Sequence, residues 1–378
     1  MPFCYAPWTN IDISPSGDIS PCCKFQFHLY EDGKHNIQFH SIEDYKKSNL
    51  LTDVKKTFSE NKWPKGCERC RIEEENNIES KRQLDYIRWE TDYKNYNFLD
   101  SKFLTASIAF GNACNLKCIT CNPNSSSTWR KEWKHVHNMD IKPLYFKHSS
   151  LVDEIITLTK DNLIHFDIPG GEPFISGVDE QKYILQFLVD SGRSKRVSIH
   201  YTTNITVFPD ESWWELWKHF KEIDMQLSID GVGNHCEYIR YPSNWETIYK
   251  NIKHYQEIEK KSSNLRLSIS HTVSAYNIYY IGDFFEWCEK ENLPKPWLGR
   301  VHAPLHMRPS VWPSKVRNEI VKKLKQCSYS DINNWITLIE NTDDSEYFSE
   351  FLENLFKHDE YRNLNFSETF PEMAQFIK

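Results

Sequence analysis

The distribution of cysteines constrains this chain more than any other feature of its sequence. The 378 residues include 11 cysteines, eight of them in the first third. Their positions are Cys4, Cys22, Cys23, Cys67, Cys70, Cys114, Cys118, Cys121, Cys236, Cys288 and Cys327. The N-terminus lacks a basic region followed by an apolar stretch, so we expect no secretory signal and a cytoplasmic, reducing location. There, cysteines more often serve as metal ligands or reactive thiols than as disulfides.

Charge and hydropathy exclude two classes of partner. The chain has 46 Lys and Arg against 53 Asp and Glu, a net charge of −7. This balance argues against a broad nucleic-acid or anionic-membrane surface. No apolar run reaches the roughly 18 residues of a membrane span. We therefore expect a globular protein that binds neither nucleic acid nor membrane.

Strand-like and helix-like segments alternate from about residue 103 onward. The predicted strands are Leu104–Phe110, Leu163–Ile168, Arg196–Thr203, Asp224–Asp230, Leu265–Val273 and Trp297–His302. Helical spacing occurs near 126–137, 150–160, 178–191, 210–221, 244–261 and 279–291. Strands separated by helices form parallel sheets through right-handed crossovers. The sequence thus predicts an α/β fold, a partial (β/α)6 TIM-like barrel with its chemistry at the carboxyl ends of the strands.

The rest of the chain divides into three further segments. Residues 1–80 are rich in turns, with a hairpin turn at Pro15-Ser16-Gly17-Asp18 and helical spacing over Ser41–Ser59. Residues 81–102 form a predicted linker helix, and the barrel occupies 103–308. Residues 309–378 are helical and acidic, and we assign them no role.

The first predicted barrel strand ends in a compact cysteine motif, C-x3-C-x2-C. Its members are Cys114, Cys118 and Cys121. Three thiolates can hold three irons of a 4Fe-4S cluster and leave the fourth iron open. An open coordination position is typical of a catalytic metal, whereas the alternative here is a zinc site.

This motif, in the run CNLKCITCNP, resembles that of radical S-adenosylmethionine (radical SAM) enzymes. In that family the open iron binds the amino and carboxylate groups of SAM. Electron transfer then releases a 5′-deoxyadenosyl radical, which abstracts a hydrogen atom from the substrate. Thr120 departs from the family pattern, since many members have an aromatic residue before the third cysteine.

Further motifs follow the later strands, and the resemblance covers about 104–305. The run GGEP resembles the family motif that holds the SAM amino group, and SIDG resembles a motif with a SAM-binding serine. In related enzymes an arginine about a dozen residues after this motif meets the SAM carboxylate. Arg240 fits this role here, because a planar guanidinium matches a carboxylate. For Asp230 the alternative is a structural cap. The predicted SAM-binding residues are Gly170, Gly171, Glu172, Pro173, Asn204, Ser228, Asp230, Arg240 and Val273.

The N-terminal cysteines follow the pattern C-x12-G-x4-C, gap, C-x2-C. This resembles the Twitch module, the shorter relative of the SPASM domain, placed here before the barrel. The resemblance implies a β-hairpin and a helix that present four thiolates to an auxiliary 4Fe-4S cluster. The predicted ligands are Cys4, Cys22, Cys67 and Cys70, with Cys23 as the alternative to Cys22 and structural zinc as the alternative metal. A closed four-thiolate site favours electron transfer or structure over substrate binding.

Together these motifs predict a radical SAM oxidoreductase with two 4Fe-4S clusters and SAM as cofactors. The predicted reaction is oxidative modification or crosslinking of a peptide side chain, with the auxiliary cluster taking up the substrate electron. The partners would be the substrate and an electron donor such as flavodoxin or ferredoxin. One alternative is oxidation or redox-neutral epimerisation of a sugar or small metabolite, with Cys236 as hydrogen donor. The alternative from another class is a cluster- or zinc-stabilised binding module without catalysis.

Overall fold

The computed structural model describes residues 2–26, 35–75, 79–98, 102–141, 148–159 and 163–377. They form a mixed α/β fold with parallel strands, which confirms the predicted fold class at that level. The chain divides into two compact units. Unit 1 comprises residues 1–113, 144–201 and 209–223, and unit 2 comprises residues 114–143, 202–208 and 224–378. Residues 99–101 of the predicted linker helix and residue 160 lie outside the described residues.

The six strands predicted from the alternating pattern are all observed, as β4 to β9. Three further strands precede them. The described strands are β1 Asn10–Ile13, β2 Asp18–Ser20, β3 His35–Asn36, β4 Thr105–Ile108, β5 His165–Ile168, β6 Ser198–Thr203, β7 Glu222–Ser228, β8 Leu265–Val273 and β9 Trp297–Arg300.

Helices lie between the later strands and continue to the C-terminus, as the sequence predicted. In the N-terminal part they are α1 Ala6–Thr9, α2 Ile42–Lys46, α3 Asn49–Ser59, α4 Glu68–Glu75, α5 Lys81–Lys94, α6 Trp129–His137, α7 His148–Thr159, α8 Val178–Asp190 and α9 Glu211–Trp217. After β7 they are α10 Asn234–Ile239, α11 Trp245–Lys261, α12 Ile281–Lys290, α13 Ser314–Leu324, α14 Ile332–Asn341, α15 Phe348–Arg362, α16 Phe366–Thr369 and α17 Pro371–Ala374.

Serine caps divide the N-terminal helical stretch more finely than its spacing indicated. The predicted Ser41–Ser59 segment is two helices, because the Ser48 hydroxyl accepts a hydrogen bond from Leu51 N at 3.1 Å and begins α3. Ser80 caps α5 in the same way, through Gln83 N. The charged segment after Cys70 is therefore also two helices, α4 and α5.

The sheet of unit 1 has the strand order β3-β2-β1-β4-β5-β6. The predicted hairpin joins antiparallel β1 and β2, and its turn needs Gly17, which has φ +85°. Parallel pairing of β1 with β4 aligns Asn10 with Thr105. The sequence did not predict this pairing, which attaches the cysteine-rich segment to β4.

The two faces of this sheet differ in polarity. Ile11, Ile13, Ile108 and Phe166 alternate with polar residues and are at most 1% exposed. Side chains in a strand alternate between faces, so the apolar residues line one face, towards the core, and the polar residues line the other.

Unit 2 contains strands β7, β8 and β9, in that order. Its C-terminal helices pack in one hydrophobic cluster, in which Trp312, Phe351 and Phe366 are fully buried. Helices α13 to α17 lie in this part of the chain and contribute to the unit 2 core. Within the described ranges, no helix combines the length and apolar character that a membrane span requires.

Candidate functional site

The loop that carries Cys114, Cys118 and Cys121 connects β4 to α6. Its backbone is held by side chains at the start of α6. The hydroxyls of Ser126 and Thr128 donate to the Leu116 carbonyl at 2.6 and 2.8 Å. The Trp129 indole donates to the Cys118 carbonyl at 3.1 Å. These bonds fix the loop between its first and last cysteine.

The residues between the cysteines anchor the loop in unit 2. Leu116 and Ile119 are at most 1% exposed. The Lys117 and Ile119 amides donate to the carbonyls of Tyr241 and Ile239 at 2.6 and 2.7 Å. The apolar side chains point into the core, while all three cysteines remain half-buried.

Burial keeps the thiols of Cys118 and Cys121 protonated until a metal ion binds. It raises the pKa of Cys118 to about 11 and that of Cys121 to about 12. Metal binding displaces such protons, because only thiolates are ligands. Among the described residues, no three His, Cys, Asp or Glu side chains lie close enough to hold a single metal ion. In a cluster each thiolate binds a different iron, so the three sulfurs need not converge on one point.

Asn204, a predicted SAM-binding residue, lies against this loop. Its amide donates to Asn115 Oδ1 at 3.0 Å and lies 3.7 Å from Cys114 Sγ. Asn115 in turn donates to Thr206 Oγ1 at 2.8 Å. Sequence reasoning missed Asn115 and Thr206, because nothing in their spacing links residues some 90 positions apart.

Asp230 and Arg240 form a buried ion pair, with Asp230 Oδ2 2.6 Å from Arg240 Nη1. Asp230 Oδ1 also accepts from the Thr272 amide at 2.7 Å, which ties the ends of β7 and β8 together. These contacts favour the structural interpretation of Asp230. The buried Nε of Arg240 has no hydrogen-bond partner among the described residues. A carboxylate ligand would satisfy this donor.

The remaining predicted residues of unit 2 have different environments. The Ser228 hydroxyl lies 3.1 Å from that of Ser270. Val273 is fully buried, and its carbonyl accepts from the Val301 amide at 3.0 Å. Cys236 is also fully buried, and burial raises the pKa of its thiol to about 12. This burial favours packing over hydrogen donation.

In unit 1 the GGEP loop adopts a backbone conformation that strongly favours glycine. Gly170 and Gly171 have φ of +90° and +52°. A Cβ on Gly171 would lie 2.3 Å from the Ala113 carbonyl oxygen. The amide of Glu172, which is fully buried, donates to this same carbonyl at 2.9 Å. Pro173 follows and is also buried.

The four predicted auxiliary ligands line one cavity in unit 1. Cys4, Cys22, Cys67 and Cys70 all line this cavity. Cys23 does not line it. The structure thus brings together cysteines up to 66 residues apart, and Cys22 remains a predicted ligand.

Close backbone packing brings these cysteines together. The Phe25 amide donates to the Cys22 carbonyl, and the Gln26 amide donates to the Gly66 carbonyl, both at 3.0 Å. A Cβ on Gly66 would lie 2.3 Å from the Phe25 ring. Glycine therefore lets the turn before Cys67 approach the segment after Cys22.

Cations surround this cavity. Lys24, Lys81 and Arg82 line it, and each also pairs with a carboxylate, on Glu73, Asp85 and Glu74 respectively. Burial raises the pKa of the cysteine thiols, that of Cys4 to about 12, while the nearby cations oppose the rise. Four thiolates around a 4Fe-4S core leave a net negative charge, which these cations would stabilise. The residues present therefore fit a cluster.

Comparison with known proteins agrees with this site. Residues 4–71 match the SPASM family, described as an iron–sulfur cluster-binding domain. A comparison with curated proteins gave no match.

Solved structures with some similarity include native anSMEcpe with bound AdoMet, at 15% identity over 59% of each chain and a TM-score of 0.44. The match thus spans about three fifths of the anSMEcpe chain. Another is Streptococcus suis SuiB bound to precursor peptide SuiA, at 14% identity over 89% of this chain and 70% of that chain, with a TM-score of 0.39.

The matched family is SPASM, whereas the sequence predicted its shorter Twitch relative, which stays a prediction. The matched residues contain all four cavity-lining cysteines. The iron–sulfur module inferred from the N-terminal cysteines is thus confirmed at the level of a SPASM family match over residues 4–71.

Proposed function

We propose that this chain is a radical SAM enzyme that oxidatively modifies or crosslinks a peptide side chain. The observation that carries the proposal is the cavity lined by Cys4, Cys22, Cys67 and Cys70 within a SPASM-matching segment. A closed four-thiolate site in unit 1 and a separate three-cysteine motif in unit 2 fit two clusters with different tasks. When bound, SAM and the open cluster would supply the radical that abstracts a substrate hydrogen atom.

The residues of unit 2 would bind and orient the first cluster and SAM. Cys114, Cys118 and Cys121 would each hold one iron. The amide of Asn204 would stabilise the Cys114 thiolate, from which it lies 3.7 Å. Arg240 would use its unpartnered Nε to meet the SAM carboxylate.

The GGEP loop of unit 1 would contact the SAM amino group, by resemblance to the family motif. Its glycines leave the backbone free of side chains, so that a ligand can approach closely. The buried carboxylate of Glu172 accepts from the Phe174 amide at 3.4 Å, which fixes its orientation. Ser228 is the further SAM contact that the SIDG motif implies.

The auxiliary site would take up the electron that the substrate loses. Lys24, Lys81 and Arg82 around its cavity favour the more negative, reduced cluster. An external donor of the flavodoxin or ferredoxin kind would reduce the first cluster. The net reaction is then an oxidation of the substrate.

A redox-neutral reaction on a sugar or other small metabolite is the second candidate. It requires a hydrogen donor, for which the sequence offers Cys236. The full burial of Cys236 supports the oxidative reaction instead, because a hydrogen donor must contact the substrate.

The test is cleavage of SAM to 5′-deoxyadenosine by the anaerobically reconstituted protein with dithionite. We expect cleavage by the wild type and by the Cys236→Ala variant. We expect none by a variant with Cys114, Cys118 and Cys121 all changed to Ala. Equal cleavage by the triple variant, or none by the fully loaded wild type with or without candidate peptides, would overturn the proposal.

A further inference from the structure

A row of polar side chains crosses the sheet of unit 1. Ser20 pairs with Asp12, Asp12 with Ser107, Ser107 with Asp167, and Asp167 with His200, each on the neighbouring strand. Directly paired residues of neighbouring strands point to the same face of a sheet. These five residues, here called the polar row, therefore lie side by side on the face opposite the apolar core.

Two carboxylates dominate this row. Asp12 and Asp167 are separated by one strand, so their backbones lie about 10 Å apart, twice the strand spacing. Asp12 is only 8% exposed and accepts a hydrogen bond from Ser20 Oγ at 3.3 Å. Burial raises the pKa of Asp12 to about 6; a hydrogen bond with Ser107 opposes the rise, and the charge of Asp167 adds to it. The two acidic groups thus act on each other.

Buried polar atoms on this face lack partners. His165 Nδ1 and Asp167 Oδ1 are buried without a hydrogen bond among the described residues. His165 is itself only 7% exposed. His165 precedes Asp167 by two positions and so shares its face, where its ring lies 6.5 Å from that of His200. Buried unpartnered groups are costly, and two on one face point to a ligand that pairs with them.

The nearest cations are already engaged elsewhere. Lys81 pairs with Asp85 at 2.7 Å, and Arg88 lies over the Trp89 ring, 4.9 Å from its centroid. The Lys81 charge lowers the pKa of Asp12 less than burial and Asp167 raise it. The row therefore retains acidic character.

We propose that the polar row binds a positively charged group of the substrate, an alkylammonium or a guanidinium, between Asp12 and Asp167. This inference rests on the proposed function and specifies its substrate as a peptide with a basic side chain, or an equivalent amine. Such a cation brings three to five N–H donors and neutralises both carboxylates. An anionic substrate would be repelled, and a neutral sugar would leave the buried carboxylate of Asp12 and the half-buried carboxylate of Asp167 without a counter-charge.

The test measures binding of small probes to the anaerobically reconstituted protein by ligand-observed saturation-transfer NMR. The probes are n-butylammonium and methylguanidinium, with n-butanol as the neutral match. The variants are Asp12→Asn and Asp167→Asn, and the control is Asp53→Asn, an exposed carboxylate on α3 of the same unit.

We expect the wild type and the Asp53→Asn control to bind both cations at least about tenfold more tightly than butanol. Asp12→Asn and Asp167→Asn should each lose about tenfold in cation affinity while butanol binding is unchanged. Equal binding of butanol, or full cation affinity in either folded variant, would overturn the inference. Circular dichroism shows whether each variant is folded. If one variant is unfolded, the cation affinity of the other tests the inference.

The same wild-type sample separates this inference from the proposed function. SAM cleavage without cation selectivity would overturn the polar-row assignment alone. Cation selectivity without SAM cleavage would overturn the proposed radical reaction and leave the acidic binding face standing.

Discussion

Individual glycines and cysteines define the candidate sites at the residue scale. The sequence predicted Gly170 and Gly171 as part of a SAM motif, and the structure gives the physical reason for glycine. Both have positive φ, and Gly171 packs on a backbone carbonyl. Spacing could not distinguish Cys22 from Cys23, because adjacent residues differ only in the direction of their side chains.

The Gly171→Ala variant tests the close packing of Gly171 against the Ala113 carbonyl. Its Cβ would lie 2.3 Å from the Ala113 carbonyl, in addition to the strain of φ +52°. Gly192→Ala is the matched control, with φ +69° and nothing within 4 Å of the added Cβ. We expect the control to lose about 1 kcal/mol of unfolding free energy, and Gly171→Ala at least about 2 kcal/mol more. Urea unfolding measures both, and equal losses would contradict the packing described here.

The Cys22→Ser and Cys23→Ser variants test which of these two adjacent cysteines is a ligand of the auxiliary cluster. Only Cys22 lines the auxiliary cavity. We expect Cys22→Ser to lose the auxiliary cluster, or about four irons per chain, and Cys23→Ser to retain it. Iron analysis after anaerobic reconstitution gives the answer. The reverse pattern would show that Cys23 is the ligand.

At the element scale, a buried charge cluster joins α6 and α15 to the loop of Cys114. Arg362 Nε donates to Glu132 Oε1 at 2.7 Å, and its Nη2 donates to the Lys117 carbonyl at 2.8 Å. Glu132 is fully buried and also pairs with His358. Helix α15 thus supports the loop of Cys114, Cys118 and Cys121, a contact that neither helical spacing nor acidic composition could indicate.

Glu132 makes the stability of unit 2 depend on pH. Burial alone would raise the pKa of Glu132, but His358, Arg362 and Lys117 outweigh it and hold the pKa at about 2. A lowered carboxyl pKa stabilises the folded state above the unfolded pKa near 4.5, and this stability is lost as pH falls towards 2. The full effect is at most about 3 kcal/mol.

We therefore expect Glu132→Gln to be less stable than the wild type at pH 7, with a difference that shrinks between pH 4.5 and pH 2. Urea unfolding of the metal-free protein at several pH values measures this difference. A difference that stays constant over that range would contradict the assignment of the charge to Glu132. The exposed Glu353, which pairs only with Lys357, provides a matched Glu→Gln control.

For the whole chain, local pattern predicted elements well and long-range pairing poorly. The alternation of apolar segments gave the six later strands, and a turn signal gave the first hairpin. The parallel pairing of β1 with β4 joins residues about 95 positions apart, and single-residue patterns carry no information on such pairing. The polar row became visible only once the register of four strand pairs was known.

The two candidate cluster sites differ in the same way, because one is local in sequence and the other depends on long-range contacts. The three-cysteine loop is local, so its spacing alone identified it. The auxiliary cavity depends on the approach of Gly66 to Phe25, and resemblance to a known module predicted what spacing could not.

The central claim is that this chain holds two 4Fe-4S clusters, one in each set of cysteines. Iron and sulfide are counted per chain after anaerobic reconstitution, alongside zinc. The wild type should contain about eight irons and eight sulfides. Two triple variants, one with Cys114, Cys118 and Cys121 changed to Ala and one with Cys4, Cys22 and Cys67 changed to Ala, should each contain about four irons and four sulfides. A wild type with about four irons and one zinc, or one in which the N-terminal variant leaves the iron count unchanged, would contradict the account.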